Sequence, residues 1–372
     1  MTKRASSLAG EVKALFAARK VDLVNVGILQ PADPFLDIAG EDLRRRIFLT
    51  ENETGQALCL RPEFTIPVCL DHIASQSGTP RRYGYLGEVF RQRRDGANEF
   101  LQAGIEDLGE TDVAAADAQL VVDAHQLLAQ AVPDAALEVT LGDQSVFEAV
   151  LASLGLPRGW RMRLARAFGS HTMLETALAD LANPPRNGQL AGPVALMAVD
   201  GDVEGLSAHI ASGMQQAGLP LSGGRTPAEI ARRVIEKVQL RSVRLSDDAF
   251  AALKTFLAID TPLSQASSAL RDFASTAGLE LGGALDLFAE RTEAIAAHGL
   301  ACDAIRYDAA FGRPLDYYTG LVFEIGVGGA LPLAGGGRYD RLLTLLGAQD
   351  PIPGVGFSVW LDRVEALRET QP

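Results

Sequence analysis

An α+β protein is the fold class that this sequence predicts, and three observations carry it. Segments of β character crowd between Val21 and Asp107, a long alanine-rich helical stretch follows from Asp143, and β character returns at Ala304. Separate blocks of strand and helix, without strict alternation, mark that class. At 372 residues the chain is long enough for a large core plus an accessory module.

The first helical pattern covers Leu8 to Ala18 and precedes an extended stretch from Leu23 to Gln30, which ends at Pro31, where the ladder loses a donor. Arg45 to Thr50 and Ala57 to Leu60 read as neighbouring strands across the turn-prone Glu51 to Gly55. Tyr83 to Phe90 and Glu99 to Asp107 read as two more, flanking Asp95-Gly96, a turn signal. Along the second of these, Leu101, Ala103 and Ile105 face one way and Gln102, Gly104 and Glu106 the other. That polar side can line a cleft or simply meet solvent. Val113, Ala116, Leu120, Ala124, Leu127 and Ala131 make one helical stripe, closed by Pro133. Leu137 to Leu141 reads as a strand. Beyond Asp143 the helices break at Pro157, at Asn183-Pro184-Pro185 and from Pro220 to Gly224, and Thr226-Pro227-Ala228-Glu229 has capping-box spacing. Residues 155–245 therefore read as an inserted helical module. Helices over Asp247 to Ile259 and Ala284 to Ala297 lead back to the β-rich end.

Composition excludes several classes. With 47% hydrophobic residues the chain is globular, and 34 basic against 47 acidic side chains give a net charge of -13 that repels nucleic acid. Cys59, Cys69 and Cys302 lie far apart without a C-x-x-C pair, which argues against disulfides and against a zinc site. No run approaches the ~18 apolar residues needed to cross a bilayer, and Met1 to Lys20 lacks the apolar core of a signal peptide. A soluble, cytoplasmic protein without membrane partners is expected.

Chemistry concentrates at two places. Arg61-Pro62-Glu63-Phe64-Thr65 puts a carboxylate and a hydroxyl directly after a strand; RPLDYYTGLVFE, Arg313 to Glu324, puts a guanidinium beside Tyr317 and Tyr318. Glu63 can neutralise an ammonium, Gln102 can hydrogen-bond it, Arg313 can hold a carboxylate by two parallel bonds, and Glu106 with the tyrosines can meet a polar ring. Together they suit an amino acid with a hydrogen-bonding side chain. Gly335 to Gly337 let backbone approach a ligand or a neighbouring strand; a packed turn with a glycine-rich hairpin is the plainer alternative.

LRPEFT, VFRQRRD, NEFLQAGIE, RPLDYYTGLVFE, AGGGRYDRL and GVGFSVWLDRV, in this order from Leu60 to Val364, resemble the motifs of the histidyl-tRNA synthetase catalytic domain. The resemblance spans about Val21 to Val364 and is weak in the middle third. It implies a class II synthetase-like, mostly antiparallel sheet flanked by helices, over 1–154 and 246–372, and a homodimer. It also implies that Glu63, Phe64, Thr65, Gln102, Glu106, Arg313, Tyr317 and Tyr318 form a histidine pocket, and that Arg91 and Arg363 match arginines that hold ATP phosphates.

Three departures redirect that expectation. Only 9 residues follow Arg363, too few for the anticodon-binding domain of the synthetases; the loop Gln92 to Asn98 is short and lacks a GRYR-like run; and Trp360 stands where the family carries glycine beside the adenine site. An indole there either fills nucleotide space or points into the core. The pattern resembles the regulatory subunits that accompany short-form catalytic subunits of ATP phosphoribosyltransferase. That resemblance implies a non-catalytic histidine sensor without cofactor or metal, using no tRNA, with Arg91, Trp360 and Arg363 as a vestigial nucleotide site. Two other classes stay open: a degenerate ligase that still forms an aminoacyl adenylate on Arg313, Arg91 and Arg363, and an RNA-binding module using Arg44 to Arg46, Arg81, Arg82 and Arg91 to Arg94.

Overall fold

Two long neighbouring strands, near one edge of the large sheet, agree with the alternation along the second of them. Arg81–Phe90 and Glu99–Leu108 pair antiparallel, from Arg81 opposite Leu108 to Phe90 opposite Glu99. The computed structural model describes residues 5–94, 96–183, 192–218, 226–242 and 245–370. Among these the strands are β1 (Asp22–Leu23), β2 (Leu29–Pro31), β3 (Leu49–Glu51), β4 (Ala57–Leu60), β5 (Arg81–Phe90), β6 (Glu99–Leu108), β7 (Glu138–Asp143), β8 (Asp260–Pro262), β9 (Ile305–Asp308), β10 (Leu321–Gly326), β11 (Ala334–Arg338) and β12 (Gly354–Trp360). Nine form one sheet in the order β1, β5, β6, β12, β11, β10, β7, β9, β8, and β2, β4, β3 form a small second sheet. Only β1 with β5 and β7 with β9 run parallel.

One face of the large sheet carries the core. Ala103 and Ile105 of β6 join Leu141, Phe323, Ile325, Val355 and Phe357 there, under the helix Val113–Ala131. That helix has the expected apolar stripe and starts at Asp112, whose carboxylate accepts the Ala115 N–H at 3.0 Å. Its other face is buried too, and this places Asp117 and Asp123 inside the protein. Arginines neutralise both. Asp117 accepts Arg291 Nε and Arg338 Nε, each at 2.7 Å, and Arg291 also bonds Asp143. Asp123 takes Arg19 at 2.7 Å and Arg82 at 2.8 Å.

Several expectations shift in detail. The stretch Leu23 to Gln30 is not one strand: β1 joins the large sheet beside β5, and β2 joins the small sheet beside β4. Arg45 to Phe48 follows a short helix, Glu41–Arg44, so only Leu49 onward is strand. The helical stretch has two parts. Helices Arg158–Ala167 and His171–Ala182 give Trp160, Leu164, Phe168 and Leu174 to the main core. Helices Pro193–Asp200, Val203–Gln216 and Pro227–Ser242 close a separate small core on Ala198, Leu206, Ala231 and Ile235. The Thr226 capping box forms, with Glu229 accepting the Thr226 N–H at 2.7 Å. Pro184, Pro185, Pro220 to Gly224 and Asp95 lie outside the described residues. No described helix is long and apolar enough to cross a membrane.

Asp117 ties one helix to two distant parts of the chain, so its removal takes a shared buried carboxylate from two guanidiniums and leaves Arg291 with Asp143 and Arg338 with the partly exposed Asp340. Asp117→Ala is expected to cost about 3 to 5 kcal/mol in urea unfolding, and a loss below about 1 kcal/mol would show that the network is dispensable.

Candidate functional site

Arg61 fixes the turn that presents the first carboxylate. Its guanidinium bonds the carbonyls of Val26, Gly27 and Glu88 and lies 4.0 Å from the Phe64 ring, while Phe64 itself stacks on Tyr85 at 4.3 Å. Phe64 is thus a packing residue outside the cavity wall, although its neighbours on both sides face the cavity. The helix Thr65–Ser75 starts immediately afterwards, and Glu63 closes its N-terminus: Oε2 accepts the Thr65 N–H at 2.7 Å and Oε1 accepts the Ile66 N–H at 2.9 Å. Burial raises the Glu63 carboxyl above its ordinary range, against the pull of those two bonds and of Arg91.

Below it lies Glu106, wholly buried on β6. Thr65 Oγ1 donates to its Oε1 at 2.7 Å and the Tyr339 hydroxyl donates to Oε2. Burial dominates and pushes its pKa up to about 8, with the hydrogen bonds opposing. At neutral pH this carboxyl is therefore largely protonated. Gly356 on the paired strand makes room for it; any Cβ there would overlap the Glu106 carboxyl.

The cavity above these groups measures about 240 Å³ and is lined by Glu63, Thr65, Gln102, Arg91, Arg313, Tyr317, Tyr318, Trp360 and Arg363 among others. Four arginines, Arg46, Arg91, Arg313 and Arg363, and three acidic residues, Asp42, Glu63 and Glu324, line it, with Glu106 beneath. Gln102 projects from β6 with 0% exposure, and neither its amide oxygen nor its amide nitrogen has a partner among the described residues. Arg313 Nε is also buried without a partner, while its Nη1 bonds Glu324 at 2.8 Å and the Phe323 carbonyl at 3.2 Å. Gly335 keeps the space that the Arg313 guanidinium crosses. Arg91 gives its Nε to the Pro62 carbonyl at 2.7 Å, and burial lowers its pKa to about 10.

Trp360 both packs into a buried cluster and lines the cavity. The ring, 6% exposed, packs in a cluster with Phe64, Tyr85 and Phe100, and its surface also walls the cavity, under the Arg363 guanidinium at 4.5 Å and near Arg313 at 5.7 Å. Sequence reasoning missed Tyr339 and Glu324. Each pairs with a predicted residue across a strand or loop junction, so no local pattern announces it. Among the described residues no cluster suits a metal ion.

Comparison with known proteins follows from this geometry. The family model described as histidyl-tRNA synthetase matches residues 1–217 and 228–364. An ATP phosphoribosyltransferase regulatory subunit from Mesorhizobium japonicum is 72% identical over 373 residues, covering 100% of both chains. One from Agrobacterium fabrum is 58% identical over 361 residues, 97% of this chain and 96% of its own. Among solved structures, an ATP phosphoribosyltransferase regulatory subunit/histidyl-tRNA synthetase from Bacillus halodurans matches with TM-score 0.66 at 19% identity, over 98% of this chain and 78% of its own. A histidyl-tRNA synthetase from Nostoc sp. matches with TM-score 0.64 at 16% identity, over 97% and 70%. These two likenesses establish the class II synthetase fold.

Two measurements follow from the burial of Glu106 and Gln102. Because the folded pKa of Glu106 lies at about 8, above the ordinary 4.5, its contribution to stability is full below pH 4.5 and is lost as pH rises through 8. Glu63 acts in the same direction. Thermal melts of the free protein across that window should decline with pH, and Glu106→Gln should flatten the decline; an unchanged slope would contradict the placement. Gln102→Leu removes two unsatisfied polar atoms and should stabilise the free protein by about 1 to 3 kcal/mol, read by chemical denaturation.

Proposed function

The chain belongs to the ATP phosphoribosyltransferase regulatory subunits, built on the histidyl-tRNA synthetase fold, and we propose that its cavity is a sensor for free L-histidine. As a regulatory subunit it is the non-catalytic component of ATP phosphoribosyltransferase, in histidine biosynthesis. The observation that carries the sensor reading is Gln102, a fully buried amide with no partner among the described residues, between carboxyls and guanidiniums in a cavity of about 240 Å³. Leaving such a group dry and unpaired costs stability, which a ligand that bonds it returns.

In the proposed complex, Glu63, Thr65 and Gln102 receive the ammonium, Arg313 receives the carboxylate once Glu324 yields, and Glu106 with Tyr317 and Tyr318 meets the imidazole. Trp360 fills the neighbouring space, which leaves Arg91 and Arg363 as remnants of a nucleotide site. The regulator acts on a short-form catalytic subunit. If histidine binds two arrangements of that complex unequally, feedback inhibition requires a coupling of only about 1 to 3 kcal/mol. Self-association is part of the same proposal, and Leu23, Ile28, Leu29 and Leu49, all exposed, supply apolar surface that a second copy would cover. The retained Arg91 and Arg363 favour a second reading, a residual adenylate-forming ligase.

Activity measurements separate the two. Added to a short-form catalytic subunit from the same cell, the protein should raise phosphoribosyltransferase activity and make it histidine-sensitive, and alone it should show no histidine-dependent exchange of pyrophosphate into ATP. Robust exchange would favour the ligase. Histidine at ~1,000 times its dissociation constant should stabilise the chain by about 4 kcal/mol, and Glu63→Ala should abolish the shift; a wild-type response in that variant would remove Glu63 from the pocket.

A further inference from the structure

A second, larger cavity lies on the other side of Tyr317 and Tyr318. It measures about 630 Å³, and five arginines, Arg158, Arg161, Arg166, Arg313 and Arg341, face only two acidic residues there, Glu148 and Asp316. In a chain whose net charge is -13, this is a local reversal of sign.

The helix Arg158–Ala167 creates it. Positions 158, 161, 162, 165 and 166 share one face at helical spacing and line the cavity, while Trp160 and Leu164 on the opposite face are buried in the main core. The core therefore fixes the helix and aims the arginine face. Arg341 is engaged by Glu148 at 3.2 Å and Arg313 by Glu324 at 2.8 Å. The side chains of Arg158, Arg161 and Arg166 make no ion pair or hydrogen bond among the described residues. Three unpaired like charges converging on one concavity repel one another, and an anion between them relieves that repulsion.

We propose that this cavity binds a compact phosphorylated ligand, pyrophosphate or a phosphate ester, on Arg158, Arg161 and Arg166. Planar guanidiniums bind phosphate oxygens by paired, charge-assisted bonds, and three forks arranged around a hollow suit a small polyanion with oxygens on several sides. A long polyanion is disfavoured, because beyond the hollow it meets the field of an acidic protein. Met162 and Ala165 on the same face, with Leu345 opposite, add apolar wall for a sugar or ring attached to the phosphate.

Isothermal titration of the full chain with inorganic pyrophosphate at fixed ionic strength tests the site. Saturable binding with one site per chain is expected. Arg158→Ala/Arg161→Ala should weaken it by about tenfold or more, while Arg271→Ala, at an exposed arginine that does not line the cavity, should not change it. All three arginines are exposed, so the double variant should melt like wild type. No saturable binding, or equal binding by the double variant, would overturn the proposal. Tighter binding of a short single-stranded RNA through the same arginines would overturn the compact-ligand class.

Discussion

The buried pairing of Asp117 with Arg291 and Arg338 organises the rest of this molecule. Asp117 sits on the helix behind the sheet, Arg338 ends β11, and Arg291 comes from the helix Gly283–Ala297 and reaches Asp143 at the end of β7. Asp143 in turn accepts the Ser145 N–H at 2.8 Å and so starts the next helix. Charges removed from water hold only when fully paired, so these four side chains fix where their elements meet. The fixation extends to the pocket by one covalent step: Tyr339 follows Arg338, and its hydroxyl holds Glu106. Through Thr65 and the start of its helix, Glu63 belongs to the same chain of contacts.

Within the cavity, the electrostatics are arranged ahead of any ligand. Guanidiniums line it, one carboxyl is held on a helix N-terminus, and the other is kept largely protonated by burial. A protonated Glu106 avoids the cost of a second buried negative charge beside Glu63. Arrival of a cationic group would favour its ionised form, so binding and proton release are linked. Trp360 lines the same cavity with an indole packed against Phe64, Tyr85 and Phe100.

Much of this was legible in the sequence, for a physical reason. The alternation on β6 separates Ala103 and Ile105 from Gln102 and Glu106, and the structure assigns the first pair to the core and the second to the cavity side. Helical periodicity located Val113–Ala131, and the capping box located the start of Pro227–Ser242. What escaped depends on long-range pairing. Asp117 and Asp123 read as the polar face of an amphipathic helix, because nothing local says that arginines from elsewhere will bury them. Phe64 falls between two cavity residues in LRPEFT, but the turn aims its ring at Tyr85. Glu324, at the far end of the same motif as Arg313, folds back to occupy its guanidinium, a pairing that the motif's order of residues does not announce.

Gly335 and Gly356 carry a consequence for how this protein can diverge. One lies where the Arg313 guanidinium crosses β11 and the other where the Glu106 carboxyl crosses β12, and neither position admits even a methyl group beside its neighbour. Both sit in central strands of the sheet, between partners on either side. A mutation at either therefore disturbs the ladder and the charged side chain beside it together. The shape of the cavity is thus inherited with the sheet itself.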